Sequence, residues 1–201
     1  MQTSIRDLTY SRLIIPVLAG LLLPFTAGAS NFSYTWVEGS YSDISLDDSD
    51  FDFDGDAYGI NAAWQFTDMV FVFGGYEYGD FDFDVDIDTF ELGAGLAFPV
   101  GGMADFVVGA SYVDVSADVP GFGSIDDDGY SAFGGFRFGL TESFQVDAGV
   151  SYVDFSDGGD DTTYAITGRY YFTPSWAIGA GYASGDDTDT VTISVRWEVP
   201  R

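Results

Sequence analysis

The sequence predicts an all-β fold, an antiparallel up-and-down transmembrane β-barrel of about ten strands with a lipid-facing apolar exterior. Three observations predict it. Large apolar residues recur with the two-residue period of a strand. Aromatic residues repeatedly mark both ends of one face. The connections alternate between short, nearly uncharged turns and acidic stretches. The segment 144–152 shows the pattern at its plainest: Phe144, Val146, Ala148, Val150 and Tyr152 share one parity, and Gln145, Asp147, Gly149 and Ser151 share the other. Successive side chains of a strand point to opposite faces, so this segment has one apolar side and one polar or small side.

The pattern can be followed along the chain. An opening strand is expected from about Phe32 to Tyr41, followed by Tyr58–Phe66, Val70–Tyr78, Phe90–Phe98, Phe106–Tyr112, Tyr130–Phe138, Phe144–Tyr152, Tyr164–Phe172, Trp176–Tyr182 and Val191–Trp197. In five of these the terminal aromatics lie eight residues apart. At a rise of ~3.3 Å per residue and a tilt of ~40°, eight residues climb roughly 20 Å, which with ring size at both ends matches an apolar band of about 25 Å between aromatic girdles. Tyr dominates the girdle beside the acidic connections, and Phe and Trp the one beside the short turns near Thr67, Pro99, Gly139 and Thr173. A count of eight strands is the alternative, with the two strands that meet in the Asp80–Asp88 stretch pairing outside the barrel.

Composition requires that this apolar surface be buried. The 201-residue chain carries a net charge of −27, yet 46% of it is hydrophobic and 18% aromatic, unlike acidic disordered chains. Cys and His are absent and all basic residues are Arg, which excludes disulfides, thiolate chemistry and the commonest general base. Residues 1–29 read as a cleaved signal peptide: Arg6 and Arg12 precede an apolar run from Leu13 to Phe25 that is short and interrupted by Pro16 and Pro24, and Ala27-Gly28-Ala29 follows. Residues 30–201 form the barrel domain. A soluble sandwich or a lipocalin-like barrel would place its large apolar residues inside. Here the second face is mostly Gly, Ala, Ser, Thr, Asn and Gln, so the apolar face meets lipid, where unpaired backbone forces the strands to close.

The second face also carries charges. Arg137, Arg169, Arg196, Glu77, Glu91 and Asp147 have lumen parity and are expected to form ion pairs inside the barrel, with Asp147 the partner of Arg169 or Arg137 at similar height. Whether Phe71, Phe73 and Phe133 fill the space left by Gly59, Gly93, Gly95 and Gly109 is open at this level. Glu38 shares the parity of Phe32, Tyr34 and Trp36, so aromatics facing lipid would put its carboxylate in hydrocarbon. A bulge that resets the register is the preferred solution, and inward-facing aromatics are the alternative.

Asp50, Asp52, Asp54 and Asp56, with Gly55, match the first half of a calcium loop, but the twelfth position is Asn61 and no helices flank it. An EF-hand is excluded. Weak Ca²⁺ or Mg²⁺ binding by these clustered carboxylates is an expectation, beside the plainer reading that Phe51, Phe53, Phe81, Phe83, Val85 and Ile87 extend hairpins beyond the membrane with Asp on the wet face. No other cofactor is expected. The acidic rim repels nucleic acid, and the absence of His leaves only a paired-carboxylate hydrolase as a catalytic alternative.

The export signal, the aromatic belts, the alternation of short turns with polar connections and the final strand Thr190–Trp197 resemble the small Gram-negative outer-membrane β-barrel superfamily, the opacity-protein and OmpA-like group. Phe32-Ser33-Tyr34-Thr35-Trp36-Val37-Glu38-Gly39 and the Gly-Tyr pairs more loosely resemble the proteobacterial barrel family known as a sulfation-dependent quorum factor. Members of the superfamily usually end on an aromatic residue read by the assembly machinery. This chain continues through Glu198-Val199-Pro200-Arg201, which leaves the register of the last strand open. The resemblance implies a non-enzymatic monomer in the cell outer membrane, with a structural or surface-interaction role in the envelope. Its partners would be outer-membrane lipids and, during biogenesis, the assembly machinery. A small cation-preferring pore beneath the acidic rim is the alternative.

Overall fold

A computed structural model describes residues 32–48, 51–121, 123–157 and 159–199, so the expected signal peptide lies outside the described residues. Ten strands run in chain order: β1 (Trp36–Asp48), β2 (Phe51–Gln65), β3 (Val70–Phe81), β4 (Val85–Pro99), β5 (Ala104–Val119), β6 (Gly123–Gly139), β7 (Phe144–Phe155), β8 (Gly159–Thr173), β9 (Trp176–Ser184) and β10 (Thr188–Glu198). Each pairs antiparallel with its sequence neighbours, and β1 pairs with β10 to close the barrel. The eight-stranded alternative is therefore set aside: β3 and β4 pair with each other and with β2 and β5 in the wall.

Parity follows one phase along each strand. Tyr58, Ile60, Trp64, Leu92, Ile166, Ile178 and Ile193 are exposed on the outside, whereas Ala57, Phe71, Phe73, Val107 and Arg137 are buried within. In hydrocarbon this outward face is the solvated one, because a barrel in lipid needs its apolar surface outside and its polar backbone paired along closed ladders. The last strand's register is fixed by Val37↔Trp197 and Trp36↔Glu198, which puts Trp197 outside and Glu198 in the lumen.

The strands are longer than the membrane band. β6 has 17 residues; at ~3.3 Å per residue and a tilt of ~40° these climb about 40 Å, well beyond an apolar band of about 25 Å. The surplus lies at the acidic end, where the sequence suggested loops. There the same alternation carries inverted hydropathy. Asp86 and Asp88 lie outward while Val85 and Ile87 are buried inward; Asp114 and Asp118 flank the outward face of β5 while Val113, Val115 and Ala117 are buried. With Ile44, Ala57, Phe81, Val153 and Phe155 these inward residues form an apolar core inside the acidic end. Below the inversion the protein is arranged for lipid, and above it for water.

Tyr hydroxyls mark the boundary. Tyr41 donates to Asp56 (2.5 Å), Tyr78 to Asp86 (2.6 Å), Tyr182 to Asp189 (2.7 Å), and Tyr76 to Asp88. Each ring lies against the apolar band and its hydroxyl reaches an outward carboxylate one step nearer the acidic end. Two inward aspartates fasten the hairpin tips: Asp127 accepts from the amides of Asp128 and Asp157, and Asp161 from the amide of Asp186 and the hydroxyl of Thr163.

At the short-turn end the lumen is filled by rings lying over cross-strand glycines. Phe71 faces Gly95, Phe73 faces Gly93 and Phe133 faces Gly109 in register, and each ring occupies the space a Cβ on that glycine would need. Tyr34 stacks on Phe71 at 4.6 Å between ring centroids, and Phe73 meets Phe133 edge-on at 5.5 Å. These residues, with Trp36, Ala63, Ala97 and Val107, make a second buried apolar cluster.

Gly93→Val tests this packing, since its side chain would meet the Phe73 ring and the backbone oxygen of Ala110, 2.6 Å from a Cβ. The expected loss is roughly 1–3 kcal/mol in the urea midpoint of the micelle-embedded protein. Gly39→Val, on the outer face with nothing within 4 Å, should leave that midpoint nearly unchanged.

Candidate functional site

The short-turn half of the lumen holds a buried chain of ion pairs built from inward positions on β1, β6, β7, β8 and β10. Glu38 on β1 accepts from Arg169 Nε at 3.0 Å and Arg196 Nε at 2.9 Å, both through Oε2, and from Arg169 Nη2 at 3.3 Å through Oε1. Asp147 on β7 accepts from Arg169 Nη1 and lies 3.4 Å from Arg137 Nε. Arg137 donates to Gln145 and to the Tyr171 hydroxyl at 2.9 Å, and that hydroxyl donates to Glu198 at 2.8 Å. Arg137 and Glu198 themselves are 4.0 Å apart.

The links cross the lumen as well as following the wall. β1 and β8 are separated by β10 and β9, and β6 and β10 by β7, β8 and β9, so Glu38–Arg169 and Arg137–Glu198 are struts between distant strands. Arg137, Arg169 and Arg196 are each at most 2% exposed. Charge at such depth persists only when paired and hydrogen-bonded, because removing an ion from water costs several kcal/mol. Two aromatic faces add to the pairing. Arg196 lies over Trp36 with its guanidinium carbon 4.2 Å from the ring centroid, and Arg137 lies over Phe32 at 5.0 Å.

Of the residues expected in the lumen, Arg137, Asp147, Arg169 and Arg196 come together. Asp147 contacts both arginines, although it stands opposite Thr167 while Arg169 stands opposite Gln145, so the Asp147–Arg169 link is diagonal rather than level. Glu77 and Glu91 are buried in the lumen but on β3 and β4, and among the described residues no arginine is paired with them.

Glu38 corrects the expected bulge. The register of β1 runs unbroken against both β10 and β2, and Phe32, Tyr34 and Trp36 are buried inside, so the carboxylate lies at the centre of the network. The inward aromatics fit because Gly95 opposite Phe71 and Ala63 opposite Trp36 leave room for rings. Glu198, Tyr171 and Gln145 were not anticipated. Their signal was lumen parity: Gln145 and Tyr171 share it with Asp147 and Arg169 on their own strands, and Glu198 with Arg196.

Of the acidic stretch Asp50, Asp52, Asp54, Asp56, the described part from Asp52 to Asp56 is strand and not a turn. Asp50 and the side chain of Asp52 lie outside the described residues. Asp54 and Asp56 lie outward on β2, opposite Ser45 and Asp43, and Gly55 between them has ordinary extended backbone beneath the Phe81 ring instead of the sharp turn a calcium loop requires. Among the described residues no three Asp or Glu side chains are grouped to hold a metal ion.

No protein-family model matches the chain, and no curated protein matches it in sequence. Solved structures do resemble it. An outer-membrane channel from Pseudomonas putida F1 superposes with a TM-score of 0.57 at 10% identity, over 89% of this chain and 100% of that one. The translocator domain of the autotransporter NalP from Neisseria meningitidis gives 0.51 at 9% identity, over 85% and 90%. Neisserial surface protein A gives 0.48 at 14% identity, over 83% and 98%. At these identities the likeness is one of fold, that of closed antiparallel outer-membrane barrels. Neighbours named as a channel and a translocator share it, so the fold alone selects no role.

Glu38→Gln preserves shape but removes the charge shared by Arg169 and Arg196. It should cost roughly 3–5 kcal/mol in the same urea assay, with Asp147→Asn also destabilising. Glu142→Gln, in an exposed turn, should stay within about 0.5 kcal/mol of the parent. A midpoint unmoved by Glu38→Gln or Asp147→Asn would contradict the network.

Proposed function

We propose that this protein is a closed, non-enzymatic barrel of the outer membrane, a structural element of the envelope that carries an acidic, folded β-extension on the cell surface. The observation that carries the reading is the filled lumen. Apolar side chains occupy its acidic end, and in its short-turn half the arginine network stands beside rings stacked on glycines. The cavity lined by Glu38, Ser40, Thr167, Arg169 and Thr192 measures about 10 Å³, room for a single water. A conducting pore needs a continuous wet path, and these layers stand across it.

Catalysis is disfavoured by the same arrangement. The chain has no His or Cys, and the lumen carboxylates of Glu38 and Asp147 are committed to guanidinium groups. What the protein offers the outside is a rigid rim of outward aspartates on paired strands. A short, stiff, strongly negative surface suits contact with cations, lipid headgroups or cationic partners and discourages close approach of anionic ones.

Planar-bilayer recording tests the reading against the pore. Protein shown to be folded by its heat-sensitive compact gel band should give no stable conductance steps, and reproducible cation-selective channels would overturn it. Cell fractionation checks the location: recovery with the outer membrane is expected, and recovery as soluble protein would count against the assignment.

A further inference from the structure

On the wall opposite the arginine network, two carboxylates are buried without a cation. Glu77 on β3 is 0% exposed and Glu91 on β4 is 4% exposed. Among the described residues both oxygens of Glu77 and Oε2 of Glu91 lack a hydrogen-bond partner, while Oε1 of Glu91 accepts from the Ser111 hydroxyl at 2.5 Å. Glu77 stands opposite Thr89, two residues from Glu91, so the two acids are diagonal neighbours, within reach for long side chains. Among the described residues the only cations are Arg137, Arg169 and Arg196. All three are shared by Glu38, Asp147 and Glu198, and Asp105 also stands opposite Arg137. No positive group is left for the β3–β4 wall.

The neutral atoms around the pair are also oxygen-rich and unpartnered. Thr89 Oγ1, Asn61 Oδ1 and Ser40 Oγ have no hydrogen-bond partner among the described residues, and Thr89 and Asn61 are 0% and 7% exposed. The geometry converges above Gly59. A Cβ there would lie 2.6 Å from Ser40 Oγ, 3.3 Å from Glu77 Oε2 and 3.7 Å from the Asn61 amide nitrogen. Phe81 and Ile87 of the apolar core lie on the acidic side of this cluster, and Phe73 on the other. Two buried carboxylates side by side with no cation between them are the situation that native interiors avoid.

We propose that Glu77 and Glu91, with Thr89 and Asn61, form an internal site for one hard divalent cation, calcium being the match, taken up as the barrel folds. Two carboxylates balance its charge. The donors are all oxygen, which excludes metals that prefer nitrogen or sulfur. The unpartnered carboxylate, hydroxyl and amide oxygens of these four residues number five, near the six to eight that calcium takes with flexible geometry, whereas magnesium demands a near-ideal octahedron and sheds water reluctantly. The site is separate from the outward rim aspartates, which lie on the opposite face of the sheet.

The test is to refold the full chain in micelles with millimolar calcium, pass it into calcium-free buffer, and measure metal per chain by elemental analysis and native mass spectrometry. One calcium per chain should remain in the parent protein and in an Asp54→Asn/Asp56→Asn rim variant. It should be lost from Glu77→Gln/Glu91→Gln, and magnesium should not substitute. The parent refolded in chelator should also lose its compact gel band at a lower temperature, whereas the double Gln variant should be indifferent to calcium. Retention of calcium by the double Gln variant would overturn the site. If that variant does not refold, the parent decides alone: a native mass without calcium, the result expected if the two acids simply hold protons, overturns it equally.

Discussion

A sheet in hydrocarbon has no viable edge, and the pairing of β1 with β10 from Trp36↔Glu198 to Leu46↔Thr188 is therefore the interaction on which the rest of the structure depends. Closing ten strands fixes the circumference, and the circumference fixes how much can stand inside. The sequence answers with complementary sizes: a Phe ring on one strand over a Gly on the next, repeated at Phe71/Gly95, Phe73/Gly93 and Phe133/Gly109. Where the filling is polar, confinement makes pairing obligatory. Three buried guanidinium groups require carboxylates within reach, and Glu38, Asp147 and Glu198 supply them from three different strands. Two of these links, Glu38–Arg169 and Arg137–Glu198, tie strands that share no backbone ladder, so the network braces the circle that the ladders close.

The same strands serve two solvents without a break in register. In the band between the girdles the large apolar residues face out; beyond the Tyr hydroxyls the aspartates face out and Val113, Val115, Ile87 and Phe155 turn the interior into an ordinary hydrophobic core. Parity does not change; only the identities at each parity exchange. The Tyr–Asp bonds lie where that exchange occurs, and Tyr suits the position because its ring is apolar and its hydroxyl needs a polar partner. The high negative charge of the chain follows from this arrangement. Outward positions above the boundary must be polar, and aspartate at those positions also discourages edge pairing between molecules.

Much of this was legible in the residues. Strand number, facing and the four short turns follow from alternation and from aromatic spacing, because lipid imposes the pattern on every strand. Arg137, Arg169, Arg196 and Asp147 follow from parity alone. Glu38 was harder, since Trp36 and Tyr34 beside it look like girdle residues. Only the glycines and alanines of strands distant in sequence show that rings fit inside. The upper core was read mainly as acidic loop because seven aspartates between Asp43 and Asp56 dominate the composition there. The surviving signal was the alternation itself, Asp86 and Asp88 interleaved with Val85 and Ile87. The placing of Glu77 and Glu91 beside each other and away from the arginines depends on which strands become neighbours in the closed barrel, a property of closure that spacing along one strand does not carry.

A barrel that is filled along its axis and continues as a folded unit above the membrane presents a rigid surface, in contrast to a scaffold for mobile loops. Hydrogen exchange of the backbone amides in micelles measures this most directly. Amides of Ile87, Val113, Val115 and Val153, above the Tyr boundary, should be protected nearly as strongly as those of Leu92, Val108 and Val150 within the apolar band. Complete exchange of the upper set within seconds, while the band remains protected, would show that the acidic end is not a packed extension of the barrel and would contradict the account.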